Sequence, residues 1–272
     1  MLSITDVYAQ RRHSKVPSQT PDKNQFPLYY QARNISVTLQ PGDILYIPYG
    51  WWHFVTSEDV DPDTKMNIAI SNWTQIKKCD CEISYDPIKY RIQCPSYNYD
   101  PDKVKKLLNT HTRLSMPFIS HSKLHLNYNL DYQTLQNNLP EKIPIFHSRT
   151  NFFTSMHINY YHHNECYKDL FSFDEFYDMG LAGEHVYLGQ FPTKDSSLNI
   201  EPISDNYTDT FLWVNFGNAT SNLHYDTEDN LIMQVQGTKK ITLFPPSERN
   251  NLYPYNPYPP GFMCYLVSKI KE

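Results

Sequence analysis

The chain predicts a mainly β fold of the jelly-roll kind with added helices, and three observations carry that reading. Short apolar runs recur at sandwich-like spacing, several of them alternating apolar and polar residues. Tyr (22) and Pro (20) far outnumber Gly (8), which favours strands and turns over a helical bundle. A Pro41-Gly42-Asp43 turn leads straight into an apolar run, as a barrel requires to deliver a strand to its mouth. At 272 residues, 40% of them hydrophobic, the chain is long enough to bury a substantial core.

The elements follow in order. Residues 1–30 read as loop, broken by Pro17, Pro21 and Pro27. Ile35 to Leu39 alternates and predicts a half-buried strand; Ile44 to Pro48 and Trp52 to Val55 read as buried strands around the Tyr49-Gly50 turn; Asn67 to Ser71 alternates again. The middle changes character. Asp100-Pro101 begins a helix with Val104, Leu107 and Leu108 at helical spacing. Asp131 to Leu139 is a second helix, closed by Pro140, and Ile143 to Phe146 is a short strand. Ser172 and Glu175 form a capping box ahead of Phe176. Strands then return at His185 to Leu188, Phe211 to Phe216, Leu231 to Gln236 and Lys240 to Phe244.

Composition narrows the function classes. A net charge of -5, with only interleaved clusters such as Lys103, Lys105 and Lys106, disfavours non-specific nucleic-acid binding. No apolar run approaches the roughly 20 residues of a membrane span, and the N-terminus lacks a signal-peptide pattern, so no membrane partner is expected. The five cysteines (Cys79, Cys81, Cys94, Cys166 and Cys264) have no repeated spacing. They read as free thiols in a reducing compartment, hence an intracellular protein, cytoplasmic or nuclear.

Two segments carry chemistry. His224 and Asp226 stand two apart, so on a strand both side chains point to one side and reach one ion. Imidazole and carboxylate together suit Fe(II), and a second histidine would complete a two-histidine, one-carboxylate face. His53, behind Trp51 and Trp52, can supply it, or it is simply a histidine packed in an aromatic cluster. Lys239 opens an apolar strand fifteen residues after His224. It either places a cation in a pocket for an anion or snorkels from a strand end.

These segments resemble the JmjC family. The resemblance lies in PGDILYIPYGWWHFV, in NIAISNW, in LHYDTEDNLIMQVQGTKKITLFPP and in LYPY. It is nearest to the small hydroxylase branch typified by factor inhibiting hypoxia-inducible factor and the tRNA wybutosine hydroxylase. Motif similarity spans about 26–73 and 185–255, with a weaker likeness over 123–180, where KIPIF resembles an entry strand. The resemblance implies a double-stranded β-helix (cupin-like) and a dioxygenase using Fe(II) with 2-oxoglutarate as co-substrate. It makes His224, Asp226 and His53 the iron ligands and Lys239 the cation for the distal carboxylate of 2-oxoglutarate. Tyr187 and Ser221 match supporting hydroxyl positions, and Asn230 an asparagine lining the co-substrate site. Relatives often have Asn before an aromatic residue and Trp; here Ser71-Asn72-Trp73 leaves open which of Ser71 and Asn72 faces the site.

The order departs from the family, whose lysine-bearing half precedes the WWH-type half. Here 1–75 is the WWH half, 76–122 a helical extension, and 123–272 the half with His-x-Asp and Lys239. Three arrangements account for this order: circular permutation into one barrel, a segment spanning the junction of tandem domains, or halves that complement another chain; one barrel is expected. The expected activity is hydroxylation of a protein side chain or an RNA base. The alternatives are N-methyl-lysine demethylation and a catalytically silent barrel that binds a partner. The helical extension offers a surface for a homodimer.

Overall fold

The computed structural model describes residues 12–74, 94, 96–98, 115–121, 130–153, 166–200 and 209–255. The helix expected after Asp100 lies outside them. The first strands are β1 (Ile35–Leu39), β2 (Ile44–Ile47), β3 (Trp52–Ser57), β4 (Asn67–Trp73), β5 (Ser96–Asn98) and β6 (Phe118–His121). Next come helix α1 (Tyr132–Asn138), β7 (Ile143–His147), β8 (Phe152–Phe153), β9 (Tyr167–Phe171) and helix α2 (Phe173–Leu181). The chain then forms β10 (Val186–Pro192), β11 (Asp209–Asn215), β12 (Thr220–Ser221), β13 (His224–Tyr225), β14 (Asn230–Gln236) and β15 (Lys239–Phe244).

These strands make two sheets. The smaller runs β1-β15-β3-β12-β8, with β13 also paired to β3; the larger runs β5-β6-β2-β14-β4-β11-β10-β7-β9. Strands from residues 35–73 and from 186–244 interleave in both, β15 lying between β1 and β3 and β4 between β14 and β11. The mainly β architecture is that of a cupin double-stranded β-helix.

Alternation decides what each face covers. Leu45, Ile47, Ala69, Ile232, Ile241 and Leu243 fill the space between the sheets. Their neighbours Ile44, Tyr46, Ile68, Ile70, Leu212 and Val214 point outward and pack with Leu135 of α1 and Phe173 and Phe176 of α2. Outside the smaller sheet, Trp52, Phe54 and Phe244 pack with Val16, Tyr29, Ala32 and Leu252. Because β4 is covered on both sides, Asn67 through Asn72 are all buried.

Both helices are capped as their sequences dictate. The Asp131 side chain accepts from Thr134 N, and Ser172 and Glu175 form the reciprocal box that starts α2. The described residues of 76–122 include two strands: β6 pairs with β2 and β5 with β6, and Phe118 is buried against Tyr46. The loop-like N-terminus contributes backbone pairing, with His13 bridged to His224 and Ser14 to Pro254.

Gly237 turns the chain from β14 into β15 at φ +68°, and a Cβ there would collide with the Asp59 carbonyl oxygen and crowd Asn67 Nδ2. Gly237→Ala is expected to lower the unfolding free energy by about 1–3 kcal/mol, read as a shifted urea midpoint.

Candidate metal centre and its pocket

The site is built on β3. Its antiparallel register sets His53 opposite His224 on one side, and Ser57 opposite Lys239 on the other. His53, Val55 and Ser57 therefore share one face, and Ile241 and Leu243, which lie across from that face, belong to the interior cluster. The turn before β3 is clamped to the loop that carries Asp226. Gly50 N donates to the Asp226 carbonyl (3.0 Å) and Tyr49 N to Asp229 Oδ1 (2.8 Å).

His53, His224 and Asp226 offer ligand atoms that all lie within 4.8 Å of one another. His53 Nε2 is 3.6 Å from Asp226 Oδ2, and His224 Nε2 is 3.9 Å from Asp226 Oδ1. A first-row ion bound at about 2.1 Å sets neighbouring ligand atoms roughly 3 Å apart, so small side-chain adjustments suffice. The donor chemistry fits as well. His53 Nδ1 lies 2.9 Å from the Trp51 carbonyl and His224 Nδ1 2.7 Å from the Asn222 carbonyl. Only an N–H can donate to a carbonyl, so each Nδ1 holds the proton and each Nε2 turns a lone pair inward. Burial, followed by the neighbouring His53, pushes His224 down to about 4, which keeps its imidazole neutral and able to ligate.

Asn230 places Nδ2 3.5 Å from Asp226 Oδ2, and its Oδ1 is buried without a partner. Sequence reasoning missed His13, whose ring stacks on His224 at 5.6 Å and 22°. The Asn222 side chain, 2.7 Å from His13 Nδ1, anchors it. A histidine in a proline-broken loop carries no periodic signal that could have placed it there.

At the other end of the same face, Lys239 is 2% exposed. Its Nζ donates to Ser57 Oγ and to Asn67 Oδ1, both at 2.7 Å. Asn215 Nδ2 donates to Ser57 Oγ (2.9 Å) and Gln234 Nε2 to Asn67 Oδ1 (3.1 Å). All of these partners are neutral, and among the described residues Lys239 has no carboxylate partner. Burial alone pushes it down to about 7. Tyr187 lies opposite Asn215 on the same interior face, and burial raises its phenol. Ser221 Oγ accepts from Val55 N at 3.1 Å. Lys240 pairs with Thr56 and points to the other face, half-exposed. Ser71 faces the interior and Asn72 does not: Ser71 Oγ accepts from Trp213 Nε1 (2.8 Å), whereas Asn72 donates to Thr210 Oγ1 (2.7 Å).

Residues 2–77 and 99–268 match the family described as the cupin-like domain. The zebrafish (Danio rerio) HSPB1-associated protein 1 homolog is 43% identical over 60 residues, 22% of this chain and 12% of that protein. Lysine-specific demethylase 8 of Xenopus tropicalis is 35% identical over 60 residues, again 22% of this chain and 12% of the relative. A JmjC domain-containing protein of Acanthamoeba polyphaga mimivirus is 22% identical over 261 residues, 93% of this chain and 41% of that protein. The chain thus covers only 12% of the length of the first curated relatives it matches. No solved structure matches. Among the described residues no helix is long and apolar enough to cross a membrane.

Asp226→Ala and His224→Ala are each expected to abolish stoichiometric Fe(II) binding in anaerobic calorimetry, because two ligands do not hold the facial geometry. Lys239 gives a second signature. Above about pH 7 the folded protein has shed this proton, while the unfolded chain keeps it to 10.5. The unfolded state then binds more protons, so stability rises with pH between about 7 and 10.5. Urea melts across that window should show this rise in the wild type and lose it in Lys239→Met.

Proposed function

The chain belongs to the cupin-like domain family, and from that premise we propose that it is an Fe(II)- and 2-oxoglutarate-dependent oxygenase that hydroxylates a protein side chain or an RNA base. The observation that carries this reading is the pairing of two features on one interior face. One is the His53, His224 and Asp226 ligand set; the other is a buried lysine that lacks an acidic partner among the described residues. His53, His224 and Asp226 would hold the iron, which would supply activation of O2, one oxygen atom going into succinate as 2-oxoglutarate loses CO2 and the other into the substrate C–H bond.

The protein's own part is positioning. His53 and His224 present Nε2 because the Trp51 and Asn222 carbonyls hold their Nδ1 protons. Lys239 would take the distal carboxylate of 2-oxoglutarate, with Tyr187 and Ser221 lining that end and Asn230 lining the metal end. A dicarboxylate supplies the negative charge that the neutral cradle of Ser57 and Asn67 leaves out, and so restores the ammonium form. The interleaving of the strands before residue 75 with those after residue 185 supports a single barrel made by this chain. A second class of substrate, N-methyl-lysine, is favoured by the relatives named as lysine-specific demethylases.

Succinate release from aerobic protein with Fe(II) and 2-oxoglutarate tests the reading. Mass spectrometry of candidate peptides and tRNA then separates a gain of oxygen from a loss of methyl. An iron-loaded, folded protein that neither binds 2-oxoglutarate nor releases succinate would instead be a partner-binding barrel. Lys239→Ala is expected to weaken 2-oxoglutarate binding about ten- to a hundredfold, the value of a charge-assisted pair of roughly 1.5–3 kcal/mol. Lys240→Ala should change it little, and equal effects would remove the assignment. Binding to the wild type should take up a proton above about pH 7, measured in buffers of different ionisation enthalpy, and affinity should fall as pH rises from there.

A further inference from the structure

We propose that Trp213, pinned by Ser71, is the side wall that sets which 2-oxo acid the pocket accepts. The proposal rests on the 2-oxoglutarate reading above and extends it to selectivity.

The strand registers place Trp213 between the two ends of the site. On β4 the interior face runs Asn67, Ala69, Ser71 and Trp73. Asn67 belongs to the closed end, bonded to Lys239, while Trp73 lies opposite Asn230, which reaches Asp226 at the metal end. Ala69 and Ser71 fall in between. Trp213 of β11 lies directly opposite Ala69, and its Nε1 donates to Ser71 Oγ at 2.8 Å. The small Ala69 side chain leaves the indole room to lie across the barrel. The Ser71 bond fixes its tilt, and Tyr187 flanks it with ring centroids 6.1 Å apart at 34°.

Trp213 is half-buried, as are Val55, Tyr187 and Ser221, which also contribute to this interior. The registers thus set a partly exposed indole between the position of the metal ligands and that of Lys239.

The consequence is selectivity by buckling. An acid held at one end by the ligand set and at the other by Lys239 has both ends fixed. Any added methylene must bow sideways, and Trp213 stands on that side. The wall admits the five-carbon 2-oxoglutarate and opposes 2-oxoadipate, which is one methylene longer.

The test is equilibrium binding of both acids to Mn(II)-loaded protein by anaerobic calorimetry, which needs no turnover. One misfitting methylene is worth about tenfold or more. Wild type should prefer 2-oxoglutarate over 2-oxoadipate by about that factor. Trp213→Ala should collapse the preference to less than about threefold by gaining affinity for the longer acid, a gain that misfolding does not produce. Ser71→Ala, which frees the indole, should fall between. If Trp213→Ala binds neither acid, Trp213→Phe must show the same shift in ratio. Wild type that binds 2-oxoglutarate, alongside Trp213 variants with an unchanged ratio, overturns the wall and leaves the oxygenase reading standing. Metal-loaded wild type that binds neither acid overturns both.

Discussion

The register of β3 is the constraint on which the rest depends. This strand is paired on one edge with β15 and on the other with β12 and β13. Through those pairings it sets His53 against His224 and Ser57 against Lys239. Side-chain direction in a strand has a period of two, so a slip of one residue would turn His53 and Ser57 outward and bring Trp52 and Phe54 inward. The slip is opposed on both faces: Trp52 and Phe54 are buried against the N-terminal segment, and Val55 packs into the interior cluster. Hydrophobic burial, at about 1.5–3 kcal/mol for each large side chain, therefore holds a polar site in place.

Once β3 is set, the electrostatics follow. The interior cluster that lies between the sheets is apolar, so each polar group there needs a partner. Two histidines satisfy the requirement by giving their Nδ1 protons to carbonyls two residues earlier in the chain, which leaves both Nε2 atoms to a metal. Lys239 satisfies it only in part, because its partners are neutral dipoles. Neutral dipoles do not replace the water a cation loses on burial, and this is what pushes Lys239 down to about 7.

Much of this was legible in the sequence, for identifiable reasons. Ile35–Leu39 and Asn67–Trp73 announce themselves by alternation, and the caps at Asp131 and Ser172 by local side-chain chemistry. The chemistry-bearing residues sit in motifs whose spacing points them to one side. Tyr167–Phe171 was not legible: it is an edge strand with four of its five residues exposed, so it has no alternation to read. The strands inside 76–122 were hidden by the polar character of Ser96–Asn98 and by the brevity of Phe118–His121. The cradle of Ser57, Asn67, Asn215 and Gln234 was hidden for a different reason. Its hydrogen bonds join residues more than 150 positions apart and exist only once the registers are set. The same registers answer the question of Ser71 and Asn72, since Ser71 shares parity with Ala69 and Asn72 with Ile70.

Everything above requires that two histidines 171 positions apart in one chain close on a single ion. Anomalous diffraction from crystals of this chain grown with Mn(II) tests it most directly. One anomalous peak is expected, bonded by His53 Nε2, His224 Nε2 and the Asp226 carboxylate of the same molecule. A peak elsewhere, or one whose two histidines come from different molecules, would contradict it.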